Sequence, residues 1–118
     1  MSKFTAALNV IGTDYHVTLA FCDAKRGGKV HTSAAIADGL ITDVVYWQGS
    51  NVTVALIDSE LVRRRHQYYT DNGYPYEGYH HVPHATLSRG NTVADHLDLV
   101  GSIVTLGEEY IRIWEPKS

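Results

Sequence analysis

What this chain lacks narrows it before any motif does. It has one cysteine, Cys22, in 118 residues, so no internal disulfide can form, which fits a reducing compartment. Cys22 follows an apolar run and reads as a buried spectator thiol rather than a nucleophile. No stretch is apolar for long enough to span a bilayer, and residues 1–4 lack the apolar run of a signal peptide, so a cytoplasmic location and no membrane partner are expected. Positive charge is not in excess: ten Lys and Arg stand against thirteen Asp and Glu, a net charge of −3. Tight binding of long nucleic acid needs many cationic contacts and is not expected, whereas a small anionic ligand in a local pocket is compatible. The chain has room for one domain, 1–118, and its 44% hydrophobic content is that of a folded globule. Nothing in it calls for an obligate protein partner.

What is present in excess is seven histidines and eight tyrosines, and their positions carry more than their number. Residues 3–11 read as a first strand, 12–14 (Gly-Thr-Asp) as a turn, and 15–21 as the returning strand of a hairpin. A charged, glycine-containing loop covers 23–30. Residues 32–40 fit a short helix with Thr32 or Ser33 as N-cap and Gly39 as its stop. The clearest strand pair is 41–47 with 52–57, joined by a hairpin loop at 48–51. Asp58 or Ser59 caps a helix over 60–70, with Leu61, Val62, Tyr68 and Tyr69 as its buried stripe and Arg63 and Arg64 outward. Residues 71–73 end it. An aromatic loop, 74–81, leads into a strand near 82–88. A short helix follows around 93–99, capped by Asn91 or Thr92, and a last strand or strand pair occupies 103–114. The class is α+β on antiparallel sheet, and its order suggests two related lobes with flanking helices.

Two of these strands share a pattern, His16-Val17-Thr18-Leu19 and His84-Ala85-Thr86-Leu87. Side chains alternate along a strand, so His16 and Thr18 share one face, as do His84 and Thr86, while Val17, Leu19, Ala85 and Leu87 take the other. Cleavage at phosphorus needs a base for the attacking hydroxyl and an acid for the leaving oxygen, and an imidazole near its ordinary pKa of about 6.5 serves either role. Threonine hydroxyls can donate to the non-bridging oxygens where charge builds up. One such motif is more often a structural strand histidine. Two copies, each followed by leucine, favour chemistry.

The paired motif resembles the H-x-[S/T]-hydrophobic signature of the two-histidine, LigT-like phosphoesterase superfamily. Within it, the chain is most similar to phage anti-CBASS cyclic-oligonucleotide phosphodiesterases. The likeness runs from Tyr15 to Ile113. Arg65-His66-Gln67-Tyr68-Tyr69, then Asp71, Gly73, Tyr74, Tyr76, Tyr79 and Pro83-His84, resemble that family's helix, aromatic loop and second motif. Trp47 falls where the family carries a ligand-contacting tryptophan, and Glu109-Tyr110 matches a Glu-Tyr pair whose glutamate belongs to the active site. The resemblance implies a two-lobed sheet with the histidines facing each other across a cleft between the lobes. It also implies metal-independent cleavage, with no cofactor, of the 3′-5′ bonds of cyclic di- or trinucleotides. His16, Thr18, His84, Thr86 and Glu109 would be catalytic, with Thr18 and Thr86 on the phosphate and Glu109 orienting a histidine or a ligand group. The chain departs from the family in one place. Relatives carry a longer, helix-containing segment before the first motif strand, where this chain has only residues 12–14. Phe4 is then the candidate for an aromatic that relatives bring from their N-terminal part.

Around this patch, Trp47, Tyr74, Tyr76 and Tyr79 could stack on bases or simply pack, and Arg89 could contact phosphate. Arg63 and Arg64 read as a solvated face, with Arg65 matching the family pattern and able to reach inward. His80, His81 and His84 are close in sequence, but Pro83 disfavours a helix there and no carboxylate or cysteine cluster completes a metal site. The same catalytic patch would serve a general RNA phosphodiesterase acting on 2′,3′-cyclic phosphate ends. A third possibility is a sponge that binds nucleotides without cleaving them. The complete His/Thr set speaks against it.

Overall fold

The computed structural model describes residues 2–24, 27–77 and 80–116. Six strands and two helices follow one another as β1 (Lys3–Val10), β2 (His16–Asp23), β3 (Ala37–Trp47), β4 (Val52–Asp58), α1 (Glu60–Asp71), β5 (His84–Arg89), α2 (Val93–His96, continued by a 3-10 turn at Leu97–Leu99) and β6 (Ile103–Trp114). The pairings between these six strands are antiparallel, and the strands close into a barrel in the order β1-β2-β5-β4-β3-β6. The core holds Phe4, Leu8, Val17, Leu19, Val54 and Leu106, each at most 2% exposed.

The expected two lobes survive in altered form. β2-β1-β6 and β5-β4-β3 are two antiparallel trios, but they belong to one closed sheet. Two seams join them. At one, residues Ala37 to Leu40 of β3 pair with Ile103 to Leu106 of β6. At the other, β2 meets β5 through a single residue pair, Val17 with Ala85.

Closure explains the clearest error of the sequence reading. Residues 32–40 do not form a helix: 29–36 are irregular and β3 already begins at Ala37. A helix of this length is marginal by itself, whereas the ladder to β6 satisfies its backbone groups in pairs. Gly39, read as a helix stop, is a point of close approach between strands. A Cβ there would meet Ile57 Cγ2 at 2.8 Å and Leu106 Cδ1 at 3.0 Å.

The helix at 60–70 is where it was predicted, one residue longer. Ser59 is the N-cap, its hydroxyl accepting from the Val62 N–H at 3.3 Å, an arrangement worth roughly 1 kcal/mol. Asn72 and then Gly73, at φ +89°, end it. Leu61, Val62 and Tyr69 are buried, Arg63 and Arg64 are exposed, and Arg63 pairs with Asp58 and Glu60. The last strand is one element, with Glu108 at φ +49° as its irregular residue. That kink is where the register against β1 slips, and it leaves Leu106, Gly107 and Glu109 all buried. Among the described residues, no helix is long and apolar enough to cross a membrane.

Candidate functional site

The narrow seam between β2 and β5 is where the two motifs meet. Because the pairing is antiparallel and centred on Val17 and Ala85, His16 stands across from Thr86, and Thr18 across from His84. Val17 and Ala85 are buried, 0% and 2% exposed, so their four polar neighbours project from the opposite, outer face of the sheet. His16 and Thr86 are exposed, and Thr18 and His84 half-buried. The alternation read from the two motifs is therefore the one the strands adopt.

The leucine after each motif has a shared role that the sequence did not disclose. Opposite β1, Ala6 pairs with Ala20 and Ala7 with Thr18, leaving Leu19 as an extra residue. Opposite β4, Thr53 pairs with Ser88 and Val54 with Thr86, leaving Leu87 extra. Each His-x-Thr thus ends on a β-bulge, which bends its strand and ends regular pairing just beyond the threonine. The two halves repeat this device about the seam.

His84 is held in a defined state. Its Nδ1 lies 2.7 Å from the Val82 carbonyl, which can only accept, so Nδ1 carries the hydrogen. In the neutral ring the basic lone pair is then on Nε2. Burial lowers the His84 pKa below the ordinary imidazole value, and the charge of His16 acts in the same direction, against the raising effect of the Val82 carbonyl. The indole of Trp47 meets the His84 ring edge-on, centroids 4.5 Å apart.

Trp47 also walls a cavity of about 700 Å³ that includes His84 and Thr86 and is bounded by Tyr46, Gln48 and Tyr76. The hairpin loop between β3 and β4 forms one side, and Tyr76, His80 and Val82 the other. Tyr46 and Gln48 are residues that the sequence reading did not single out. Their only signal was adjacency to Trp47 in the hairpin. A second cavity, about 610 Å³, lies across the 80–83 segment and is lined by His66, Gln67, His80, His81 and Arg63 among others. No three His, Cys, Asp or Glu side chains gather in a metal-binding group among the described residues.

The remaining candidates divide. Tyr76 faces the first cavity and touches the His81 ring edge-on at 5.2 Å. Tyr74 does not belong to the site: it is 8% exposed and stacks on Phe4 at 4.0 Å inside the core. The chain at 74–77 runs beside β2, with the Phe21 N–H donating to the Pro75 carbonyl and the Glu77 N–H to the Phe21 carbonyl, and this path turns Tyr74 inward. Phe4, 2% exposed, is likewise core rather than a ligand contact. Tyr79 lies outside the described residues. Arg89 is exposed at the end of β5, paired with Val52, and lines neither cavity.

Glu109 is placed against an arginine rather than a histidine. Its side chain is fully enclosed, and Arg65 reaches it from α1 with Nε to Oε1 and Nη2 to Oε2, both at 2.8 Å. The Tyr69 hydroxyl donates to Oε2 at 2.7 Å and the Ser33 N–H at 3.1 Å. Arg65 also donates to the His31 carbonyl and lies under the Tyr68 ring at 4.1 Å. Burial and Glu109 push the Tyr69 pKa up, and Glu109 raises that of Arg65. Both carboxylate oxygens are thus committed to tying α1 and the 31–33 segment to β6. Of the two roles expected of Glu109, orienting a histidine or a ligand group, these contacts do not include a motif histidine.

A small α+β domain with two His-x-Thr motifs paired across one seam of a closed sheet is the class that this fold and site define. The family model described as anti-CBASS protein Acb1 matches residues 2–114, so the chain belongs to the Acb1 family of anti-CBASS proteins and to phage evasion of CBASS immunity. A search of curated proteins finds no match.

Proposed function

We propose that this chain is a two-histidine phosphodiesterase that opens 3′-5′ bonds of cyclic di- or trinucleotides without a metal. The pairing of Val17 with Ala85 carries the reading, because it sets two imidazoles and two hydroxyls on one face of the seam, with His84 and Thr86 lining the Trp47-walled cavity. Membership of an anti-CBASS family supports a nucleotide signal as the substrate.

The chemistry follows from the tautomer and the exposure. His84, neutral near pH 7 with Nε2 free, takes the proton of a ribose 2′-hydroxyl as that oxygen attacks the adjacent phosphorus. The bond from phosphorus to the 5′-oxygen breaks, and protonated His16 supplies the proton that the leaving oxygen needs. Thr18 and Thr86 donate to the non-bridging oxygens, where such donors are worth most in the transition state. The product carries a 2′,3′-cyclic phosphate at one end and a 5′-hydroxyl at the other. Trp47 offers its ring to a base.

The test incubates the purified protein in EDTA with a panel of cyclic di- and trinucleotides and with RNA ending in a 2′,3′-cyclic phosphate. Linear products from the cyclic panel with a cyclic-phosphate end support the reading. Turnover of the RNA ends alone moves the assignment to a general RNA phosphodiesterase, and tight binding without products makes the protein a sponge. Equal cleavage of a 2′-deoxy substrate rules out the 2′-hydroxyl attack, and a strict metal requirement rules out the acid–base scheme.

A further inference from the structure

A second pair of histidines stands directly behind the seam. β2 pairs with β1 along its length, but on its other edge it meets β5 only at Val17. The next two carbonyls of β2, those of Thr18 and Leu19, lie at the bulge where regular pairing ends. A buried carbonyl left without a donor is costly, so these two need partners from elsewhere. Both find an imidazole. His81 Nε2 is 2.8 Å from the Thr18 carbonyl, and His66 Nδ1 is 2.8 Å from that of Leu19.

The two rings stack face to face, centroids 3.9 Å apart and planes within 10°, and Tyr76 meets the His81 ring edge-on. Because a carbonyl only accepts, the contacts specify the tautomers: His81 carries its hydrogen on Nε2 and His66 on Nδ1. His66 comes from α1 and His81 from the segment that enters β5 three residues later at His84. One imidazole therefore joins the peptide of the first motif's threonine to the approach of the second motif's histidine.

We propose that His81, braced by His66, is a positioning residue that substitutes for the missing β2–β5 ladder and sets the spacing between the two His-x-Thr motifs. This rests on the phosphodiesterase reading above and adds to it a group that does not touch the substrate. Reaction at phosphorus depends on placement to well under an ångström, so losing this tie lowers kcat more than it weakens binding.

Two variants separate the donor from the ring. His81→Phe keeps a stacking ring and removes the donor, while His81→Gln keeps an N–H that can reach Thr18. With a cyclic dinucleotide as substrate, His81→Phe loses roughly 10- to 100-fold in kcat with KM within about twofold, and His81→Gln recovers most of that loss. A kcat for His81→Phe equal to the parent's, or a loss carried in KM alone, overturns the proposal. Nitrogen-15 NMR of the imidazoles gives a reading that does not depend on turnover. The proposal expects His81 as the Nε2–H form and His66 as the Nδ1–H form, with the His84 ring resonances moving in His81→Phe. The opposite tautomer at His81, or unmoved His84 resonances in a folded His81→Phe, overturns it. If the parent protein cleaves nothing, the phosphodiesterase reading fails, and the NMR result still decides whether His81 sets the seam.

Discussion

Two polar constellations in this chain look alike in sequence and differ in kind. Around Glu109, every acceptor is matched: Arg65, Tyr69 and Ser33 supply donors to a carboxylate with no exposed surface. Around the seam, His16 and Thr86 are exposed and Thr18 and His84 half-buried on the outer face of the sheet, His84 and Thr86 line a cavity, and His84 keeps one ring nitrogen uncommitted. A saturated buried network fixes a fold, and an exposed set with spare donors and acceptors can act on a ligand. The comparison gives Glu109 an anchoring part between α1 and β6, and it leaves the four motif residues with the spare donors and acceptors that the proposed chemistry needs.

This division can be broken by substitution on either side. The largest effect is expected at His84→Ala, which removes the proposed base and lowers kcat for a cyclic dinucleotide by roughly 10²- to 10⁴-fold, with thermal stability almost unchanged. A comparable loss of stability would make His84 part of the scaffold instead. Glu109→Ala is expected to do the reverse. Removing one partner of a buried pair leaves the Arg65 charge uncompensated, costing about 3–5 kcal/mol in a urea melt, while the fraction that remains folded keeps its chemical step. Trp47→Ala is expected to raise KM by the loss of one stacking contact, about 1–3 kcal/mol or roughly 5- to 150-fold, leaving kcat within a few-fold.

The smallest effect is on stability against pH. His81 and His84 both titrate lower in the folded chain than in the unfolded one, chiefly through burial, with the neighbouring charges of His66 and His84 acting on His81 and that of His16 on His84. As pH falls below about 6.5, the unfolded chain takes up protons first, so their contribution is complete above that value and is lost toward the lower folded values. Thermal melts between pH 7 and 5 should show a falling midpoint, with a shallower slope in His81→Gln. A midpoint independent of pH over that range would contradict the assignment of neutral, half-buried rings.

Local pattern carried the motif faces, the central hairpin and the capped helix, because alternation and capping are properties of a few adjacent residues. It did not carry closure. Residues 32–40 have acceptable helix chemistry, and only the distant β6 ladder makes Ala37 to Leu40 a strand. Tyr74 and Tyr76 differ by two positions in one aromatic loop, yet the run of that loop along Phe21 sends the first to Phe4 and the second to the cavity. Trp47, now a wall of the cavity, was legible only through the family resemblance, which places a tryptophan at this point before the hairpin. The stacking of His66 on His81 was not, since it depends on the bulge at Leu19 and on the register of three separate elements. The excess of histidine was its only trace.

The account stands on His16 and His84 acting as one unit on one phosphate, and a double-mutant cycle measures that directly. With kcat for a cyclic dinucleotide determined in EDTA for His16→Ala, His84→Ala and the pair, the double variant is predicted to be about as slow as the slower single one. Losses that multiply, or a single variant that turns over at the parent rate, would show that the two histidines do not share a reaction.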